Sequence, residues 1–312
     1  MNTLLLKFAV EVEQTRSISR AAKNLAMAQP NLSKAIKELE EDLGFAIFER
    51  SSRGVVPTSK GDVFFEYARS ILAQLDSIQA LSDSADGSQQ KFGIAISRGS
   101  YISSAVVDFA SGLDSSMGVD LDIRETSSMD VINNVVRGRY NLGIIRYRAM
   151  YGQYFNDFLA QHRIAAAPLW EFRYLAVMSR AHPLANEALL VPSDLAAYTE
   201  IVHGDTGIPY LLQEGGVNQH AEAPVKRQIR LYERCNQFEL LTHMPTTFMW
   251  ASPIPDDLLS RYGLVQRKCD FPNNDYKDLL ICPQDYHLSA LEKKFVGYLK
   301  DSIEALSQKR YR

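Results

Sequence analysis

Between Gln29 and Lys37 the sequence reads QPNLSKAIK. Gln29, Asn31 and Ser33 carry amides and a hydroxyl, the groups that pair with base edges, while Lys34 and Lys37 carry charges suited to phosphate. Gln29 and Ser33 are therefore expected to read bases, with Pro30 and Asn31 on the same approach. Lys34, Lys37, Arg50 and Thr58 are expected to hold phosphates, and Arg53 to reach a minor groove from the tip of SSRG. Glu38, Glu40, Glu41 and Asp42 follow and would repel a duplex, so only the first turns can approach one.

Such a face needs a helix, and the spacing supplies it. Leu32, Ile36, Leu39 and Leu43 recur at +4, +3, +4, opposite the polar face. Pro30 does not break this helix: in the first turn its missing N–H has no partner to lose, so it starts one. Upstream, Leu5, Phe8, Ala9 and Val12 share a face over residues 3–14, and Ser17 caps a short helix running to Leu25. The order is helix, turn, helix, with the second helix entering a major groove by its N-terminal end. Short apolar pieces flanking SSRG read as a two-stranded wing, and Thr58 caps a helix over about 59–82. Phe64, Ala68, Ile71, Leu75 and Ile78 follow a near-heptad rhythm on that helix, which predicts pairing with a second copy. SDSADGSQQK, 82–91, reads as a polar linker.

Beyond Lys91 strands and helices alternate, the pattern of parallel βαβ units. Strands are expected at 92–96, 119–125, 142–146, 172–178, 199–203, 226–232, 246–251, 263–268 and 278–283, and a closing helix from Ser289. The fold class is α/β. Ligands in such domains sit at the carboxyl ends of strands, where helix N-termini offer free N–H groups. Those ends carry Ser97, Arg98, Ser100, Thr126, Ser127, Arg146 and His203, a set that suits a small carboxylate or other anion.

The totals bound the rest. A chain of 312 residues favours more than one domain. Net charge is −3, with +2 over the first 60 residues, so nucleic-acid contact must rest on placement and not on bulk charge. No apolar run approaches the length of a membrane span, and the N-terminus reads as a helix and not a secretory signal. Cytoplasm is the expected location, with no membrane contact. The six histidines have no metal-ligand spacing, so neither metal nor cofactor is expected. Cys235, Cys269 and Cys282 suggest neither disulfide framework nor zinc site. Without a GxSxG elbow or a base near Ser97 or Ser100, an enzyme is not expected.

SISRAAKNLAMAQPNLSKAIKELEEDLGFAIFERSSRGVVPTSKG, the helix behind it, and PLWEFRYLAVMSRAHPLA together resemble LysR-type transcriptional regulators over nearly the whole chain. The resemblance implies a winged helix-turn-helix domain at 1–60, its motif at about 17–36, then a dimerising linker helix at 61–90. It also implies a two-lobed effector domain at 91–312 shaped like periplasmic binding proteins, lobe I being about 91–163 and 267–312 and lobe II about 164–266. It implies a homodimer or homotetramer on an inverted repeat near a promoter, a small-molecule effector, and RNA polymerase as a further candidate partner. The chain departs from the family pattern at Ala28, where many relatives have serine, at Asn141 in YNLGII, and in TTFMWASPIP. Two other readings stay open: a small-molecule-binding protein whose N-terminal helices serve only assembly, and a cysteine-based redox-sensing regulator.

Overall fold

The computed structural model describes residues 2–51, 54–86, 89–204, 227–232 and 236–308, without the side chains of 50–51, 73, 76–77 and 79–86. The chain opens with α1 (Thr3–Thr15), α2 (Ile18–Asn24) and α3 (Gln29–Leu43), then a hairpin of β1 (Phe48–Ser51) and β2 (Gly54–Pro57), then α4 (Ser59–Asp86). Leu6, Ala9 and Val12 of α1, Ala21 and Ala22 of α2, and Leu32, Ile36 and Leu39 of α3 converge on one core. Ser17 accepts from the Arg20 amide and caps α2 as expected. Gly44, at φ 74, ends α3 in a left-handed conformation that favours glycine.

Two glycines close the hairpin onto the helices. The Gly54 position (φ 103) leaves only 2.6 Å between an added Cβ and the Arg16 carbonyl oxygen, which accepts from the Val55 amide at 3.2 Å. At Gly61 an added Cβ would lie 2.1 Å from the carbonyl oxygen of Ile47, the residue just ahead of β1, so the first turn of α4 can sit against that backbone only with glycine there.

The rest forms two sheets. The first has strand order β4-β3-β5-β13-β6, built from β3 (Gln89–Ser97), β4 (Gly118–Thr126), β5 (Gly143–Arg148), β6 (Ile164–Arg173) and β13 (Asp275–Pro283). β3 runs parallel to β4 and β5, whereas β13 is antiparallel to both neighbours. Helices α5 (Ser100–Ser111), α6 (Ser128–Val136), α7 (Gly152–Gln161) and α11 (Ala290–Ser307) accompany this sheet. The second sheet, ordered β10-β9-β11-β7-β12-β8, contains β7 (Leu175–Ser179), β8 (Leu189–Leu190), β9 (Thr199–His203), β10 (Gln228–Leu231), β11 (Thr247–Ala251) and β12 (Leu264–Cys269). Helices α8 (Pro192–Leu195), α9 (Gln237–His243) and α10 (Asp256–Arg261) accompany it.

Three expectations shift. The strand expected at 172–178 is two: β6 pairs with β13 in the first sheet, and after Tyr174 the chain enters the second as β7. Lobe II therefore begins near Leu175 and not at 164, and it keeps β12, which pairs with β7 and β8. The stretch 82–91 is not a linker throughout, because α4 continues to Asp86 and β3 starts at Gln89. Ser, Asp and Ala carry no strong breaker, and Gly87 is the first residue that does.

The near-heptad seam also divides. Phe64 and Ala68 are buried in the core of their own domain, with Ile71 packed at its edge, and so cannot face a second copy. Leu75 is half-buried and Ile78 is exposed, which leaves the seam's far end for a partner. Apolar periodicity reports a buried stripe without saying which molecule buries it.

Candidate nucleic-acid interface and effector cleft

Helix α3 buries Leu32, Ile36 and Leu39 and turns Gln29, Pro30, Asn31, Lys34 and Lys37 to solvent, with Ser33 half-buried. Ala28 gives the helix no side-chain cap; Pro30 has no N–H and the Asn31 amide donates to the Ala28 carbonyl at 3.0 Å, so a ligand at this end is met by side chains more than by backbone amides. Lys34 has no ionic partner among the described residues, and Lys37 only an exposed one, Glu41 at 3.6 Å. Of the acids expected to repel a duplex, Glu40 is turned inward: its Oε1 accepts from the amides of Ile47 and Phe48 at 2.8 and 3.1 Å. Glu38, Glu41 and Asp42 remain exposed.

Thr58 is committed to structure. Its hydroxyl donates to the Ala46 carbonyl at 2.8 Å and accepts from the Gly61 amide at 2.9 Å. That spends its proton, so a phosphate would have to be met by the backbone or by a neighbour. Arg50 lies on β1, in register with Val55, with its side chain outside the described residues. Arg53 lies outside them altogether.

In the two-sheet half, the strand ends come together as their order requires. Ser97 and Thr126 are in register at the ends of β3 and β4, and β5 runs beside β3. The Ser97 hydroxyl lies 2.9 Å from that of Ser128, which donates to the Arg146 carbonyl at 2.6 Å and accepts from the Arg146 amide at 2.9 Å. Thr126 and Ser127 both donate to Asp130, and Ser127 caps α6. Helix α5 has no such cap: Gly99 stands at its N-cap position, and Ser100 faces a groove of about 800 Å³. His203 stands at the end of β9 in the other sheet, in register with Leu231.

Arg146 is bound up. Its Nε and Nη2 donate to the two carboxylate oxygens of Asp278 at 2.8 and 2.6 Å. Nη1 donates to the Arg98 carbonyl at 2.8 Å and to the Ser252 hydroxyl, in the second lobe, at 3.3 Å. The guanidinium lies 4.7 Å from the centre of the Phe172 ring, and the Arg146 and Asp278 side chains are 7% and 0% exposed. Asp278 also accepts from the buried Tyr101 hydroxyl. Burial, then the Asp278 charge and hydrogen bond, hold the Tyr101 phenol well above its usual range. For Arg146, burial works against the charge, but the Asp278 carboxylate more than offsets it and keeps the guanidinium firmly protonated. Arg98 pairs with Glu125 at 3.5 Å and donates across the cleft to the Tyr232 carbonyl at 3.4 Å.

Asp278, Tyr101, Ser128 and Ser252 are site residues that the sequence reading does not single out. One signal points to Asp278: an aspartate heading the apolar run DLLIC must meet a cation or lose its charge. Nothing in the sequence pairs it with Arg146, 132 positions away.

The groove beside Ser100 lies between α5 and α11 on one side and α9 and α10 on the other. Asp108, Glu239, Asp256, Asp257 and Asp301 line it against one cation, Arg261. Its apolar floor includes Val107, Phe238, Leu258 and Tyr298.

Cys269 is buried, and desolvation pushes its thiol up to about 12; Cys282 is half-buried and also raised by burial. Neither is poised as a thiolate. Cys235 lies outside the described residues. Among the described residues no group of three or more His, Cys, Asp or Glu could hold a metal, and no described helix is long and apolar enough to cross a membrane.

Residues 4–62 match the bacterial regulatory helix-turn-helix protein family of lysR type. Residues 113–304 match the LysR substrate binding domain. The regulator BudR of Klebsiella aerogenes is 45% identical over 76 residues, 24% of this chain and 53% of BudR. BenM of Acinetobacter baylyi is 39% identical over 77 residues, 25% of either chain. The chain thus spans about half the length of BudR and a quarter of BenM in these matches. A full-length single-residue variant of OxyR from Pseudomonas aeruginosa superposes with a TM-score of 0.62 over 99% of both chains at 17% identity, a likeness of fold. The helix-turn-helix and the two-lobed domain lie in this order on one chain, and the second family alone covers most of it: the chain belongs to the LysR family of bacterial regulatory proteins.

Proposed function

We propose that the protein is a DNA-binding transcription regulator that answers to a small polar effector held between its two lobes. The observation that carries the first half is the face of α3: amide, hydroxyl and ammonium groups project together while the opposite stripe is buried. Gln29 and Ser33 then read bases in a major groove, Lys34 and Lys37 hold phosphates, and the β1–β2 hairpin, with Arg50 and Arg53, follows as a wing. An inverted repeat read by a dimer or tetramer fits this arrangement, with the far end of α4 supplying contact between copies. RNA polymerase as a further partner, and the cytoplasm as location, belong to this reading too.

An assembly-only role for the N-terminal helices is the weaker reading, because Phe64 and Ala68 are spent inside their own domain.

The effector reading needs a change in chemistry. Arg146 is neutralised by Asp278 and Arg98 is paired with Glu125, so neither offers a free charge to an anion. Helix α5 starts without a side-chain cap and brings Ser100 to the groove, and the groove itself is lined by carboxylates. A molecule carrying both a carboxylate and an amine suits that combination better than a simple dianion. Ser97, Ser100, Thr126, Ser127 and His203 would shape the site around it.

A thermal-shift screen of the full chain against amino acids, dicarboxylates and inorganic anions tests this. A ligand at 100 times its Kd should stabilise by about 2.7 kcal/mol. Stabilisation by amino acids is the expected result; stabilisation by dianions alone would sink the charge argument. Selection of duplexes from a random pool tests the DNA half, and failure to enrich any sequence at low salt would refute it.

A further inference from the structure

Helix α6 touches both halves of the molecule. Its N-terminus lies at the cleft, where Ser127 caps it and Ser128 is bonded to Ser97 and to both backbone groups of Arg146. Nine residues later, about 13 Å along the axis at 1.5 Å per residue, it ends in the turn Arg137–Gly138. Gly138 (φ 64) accepts the stem of Arg69 from α4 against it: a Cβ added there would lie 3.5–3.6 Å from Cβ, Cγ and Cδ of Arg69. Arg69 is held in turn by Glu13 of α1 at 3.3 Å, and Gln14 of α1 donates to the Arg137 carbonyl at 3.4 Å. A second point of contact lies alongside, where the Arg163 guanidinium sits 5.5 Å from the centre of the exposed Tyr67 ring.

We propose that this joint docks the DNA-binding half onto lobe I of the same chain, and that α6 carries the state of the cleft to it as a rigid strut. Val131, Ile132 and Val135 fasten α6 to the sheet along its length, so its two ends move together. A change at Ser127 or Ser128 therefore displaces the Gly138 turn under Arg69, and with it the α1–α4 pair on which α3 is packed. By linkage, a duplex bound at α3 changes the cleft's affinity for its ligand by the same factor as that ligand changes duplex affinity, so the cleft end of α6 responds to the duplex too. The inference rests on the reading that α3 binds DNA.

Hydrogen exchange on the full chain tests it in two arms. In the free protein, Tyr67→Ala and Arg163→Ala, one surface change on each side of the joint, should speed exchange several-fold at 135–139 and leave the β3 and β5 core amides unchanged. Unaltered exchange at 135–139 in both variants would overturn the joint. In the second arm a duplex selected from a random pool is added. Wild-type protein should change its exchange at 128–131, while Tyr67→Ala binds the same duplex and loses that change. Persistence of the change in Tyr67→Ala, or its absence from wild-type protein that binds the duplex, would overturn the coupling. If no duplex enriches, the DNA reading fails and the coupling with it, while the free-protein arm still decides whether the joint exists.

Discussion

Lys34 on α3 and Arg146 in the cleft are both cations placed where a site was expected, and they stand in opposite conditions. Lys34 is exposed and without an ionic partner among the described residues, so its charge is available to whatever arrives. Arg146 is held by both oxygens of Asp278, by a backbone carbonyl and by Ser252, and its charge is consumed inside the protein. The difference shows that a basic residue near a cleft marks a binding site only when the fold leaves its charge unanswered. A buried cation with a carboxylate of its own is a fastener between elements, here between strands β5 and β13 and across to the second lobe.

The sharpest way to break that contrast is to remove Asp278. Asp278→Ala leaves a guanidinium buried and unpaired, and breaking such a pair from one side costs about 3–5 kcal/mol. Both tryptophans, Trp170 and Trp250, lie in the two-lobed half, so denaturant unfolding followed by their fluorescence reports that half alone. The double variant Arg146→Met with Asp278→Leu should be less damaged than Asp278→Ala, because it removes both charges. Equal losses in the two would mean that the pair matters for its shape and not for its charge.

On the exposed side the large effects fall on DNA and not on folding. Gln29→Ala should lose about 1–3 kcal/mol of discrimination at one base pair, read as relaxed preference in a competition assay, with unfolding unchanged. Lys34→Ala should weaken binding to all duplexes alike and make the salt dependence shallower by about one unit. An unchanged salt slope would show that Lys34 never meets a phosphate.

These two regions are not equally legible. The α3 face can be read because each of its parts is local: Pro30 starts the helix, the +4, +3, +4 stripe buries one side, and the polar residues take what is left. The strand ends are legible as places for the same reason, since a strand followed by Ser or Thr and a helix is a local pattern. What fills them is not. Asp278 meets Arg146 only because β13 returns antiparallel beside β5, and no local pattern announces that return. The α4 seam misleads for a related cause, as the wing and α1 bury Phe64 and Ala68 before any partner can. Contacts made through chain reversal escape a reading that works by spacing.

A buried group outside both regions extends the contrast to pH. His182 is 3% exposed, and its Nδ1 accepts from the Leu184 amide at 3.0 Å, which requires the neutral ring. Burial lowers its pKa below the usual 6.5. Below that value the unfolded chain takes up a proton that the folded chain refuses, so stability should fall as pH drops from about 6.5 towards the folded pKa. The slope for one proton is at most about 1.4 kcal/mol per pH unit, and it should vanish in His182→Gln. A stability curve of the same slope in that variant would assign the loss to other groups.

The smallest expected effect completes the comparison. Lys37 forms an i,i+4 pair with Glu41 at 3.6 Å, and both side chains are largely exposed. Such pairs contribute about 0.3–0.5 kcal/mol, so Lys37→Ala should barely move the unfolding midpoint of the N-terminal domain. The same change should weaken duplex binding strongly at low salt and less so as salt rises, since what it removes is a phosphate contact. Asp278→Ala should do the reverse, costing several kcal/mol of folding while the isolated reading of bases by α3 is untouched. If Lys37→Ala instead destabilised the domain by more than about 1 kcal/mol, its charge would have to be answered within the fold, and the division between available and consumed cations would fail on the surface where it is drawn most plainly.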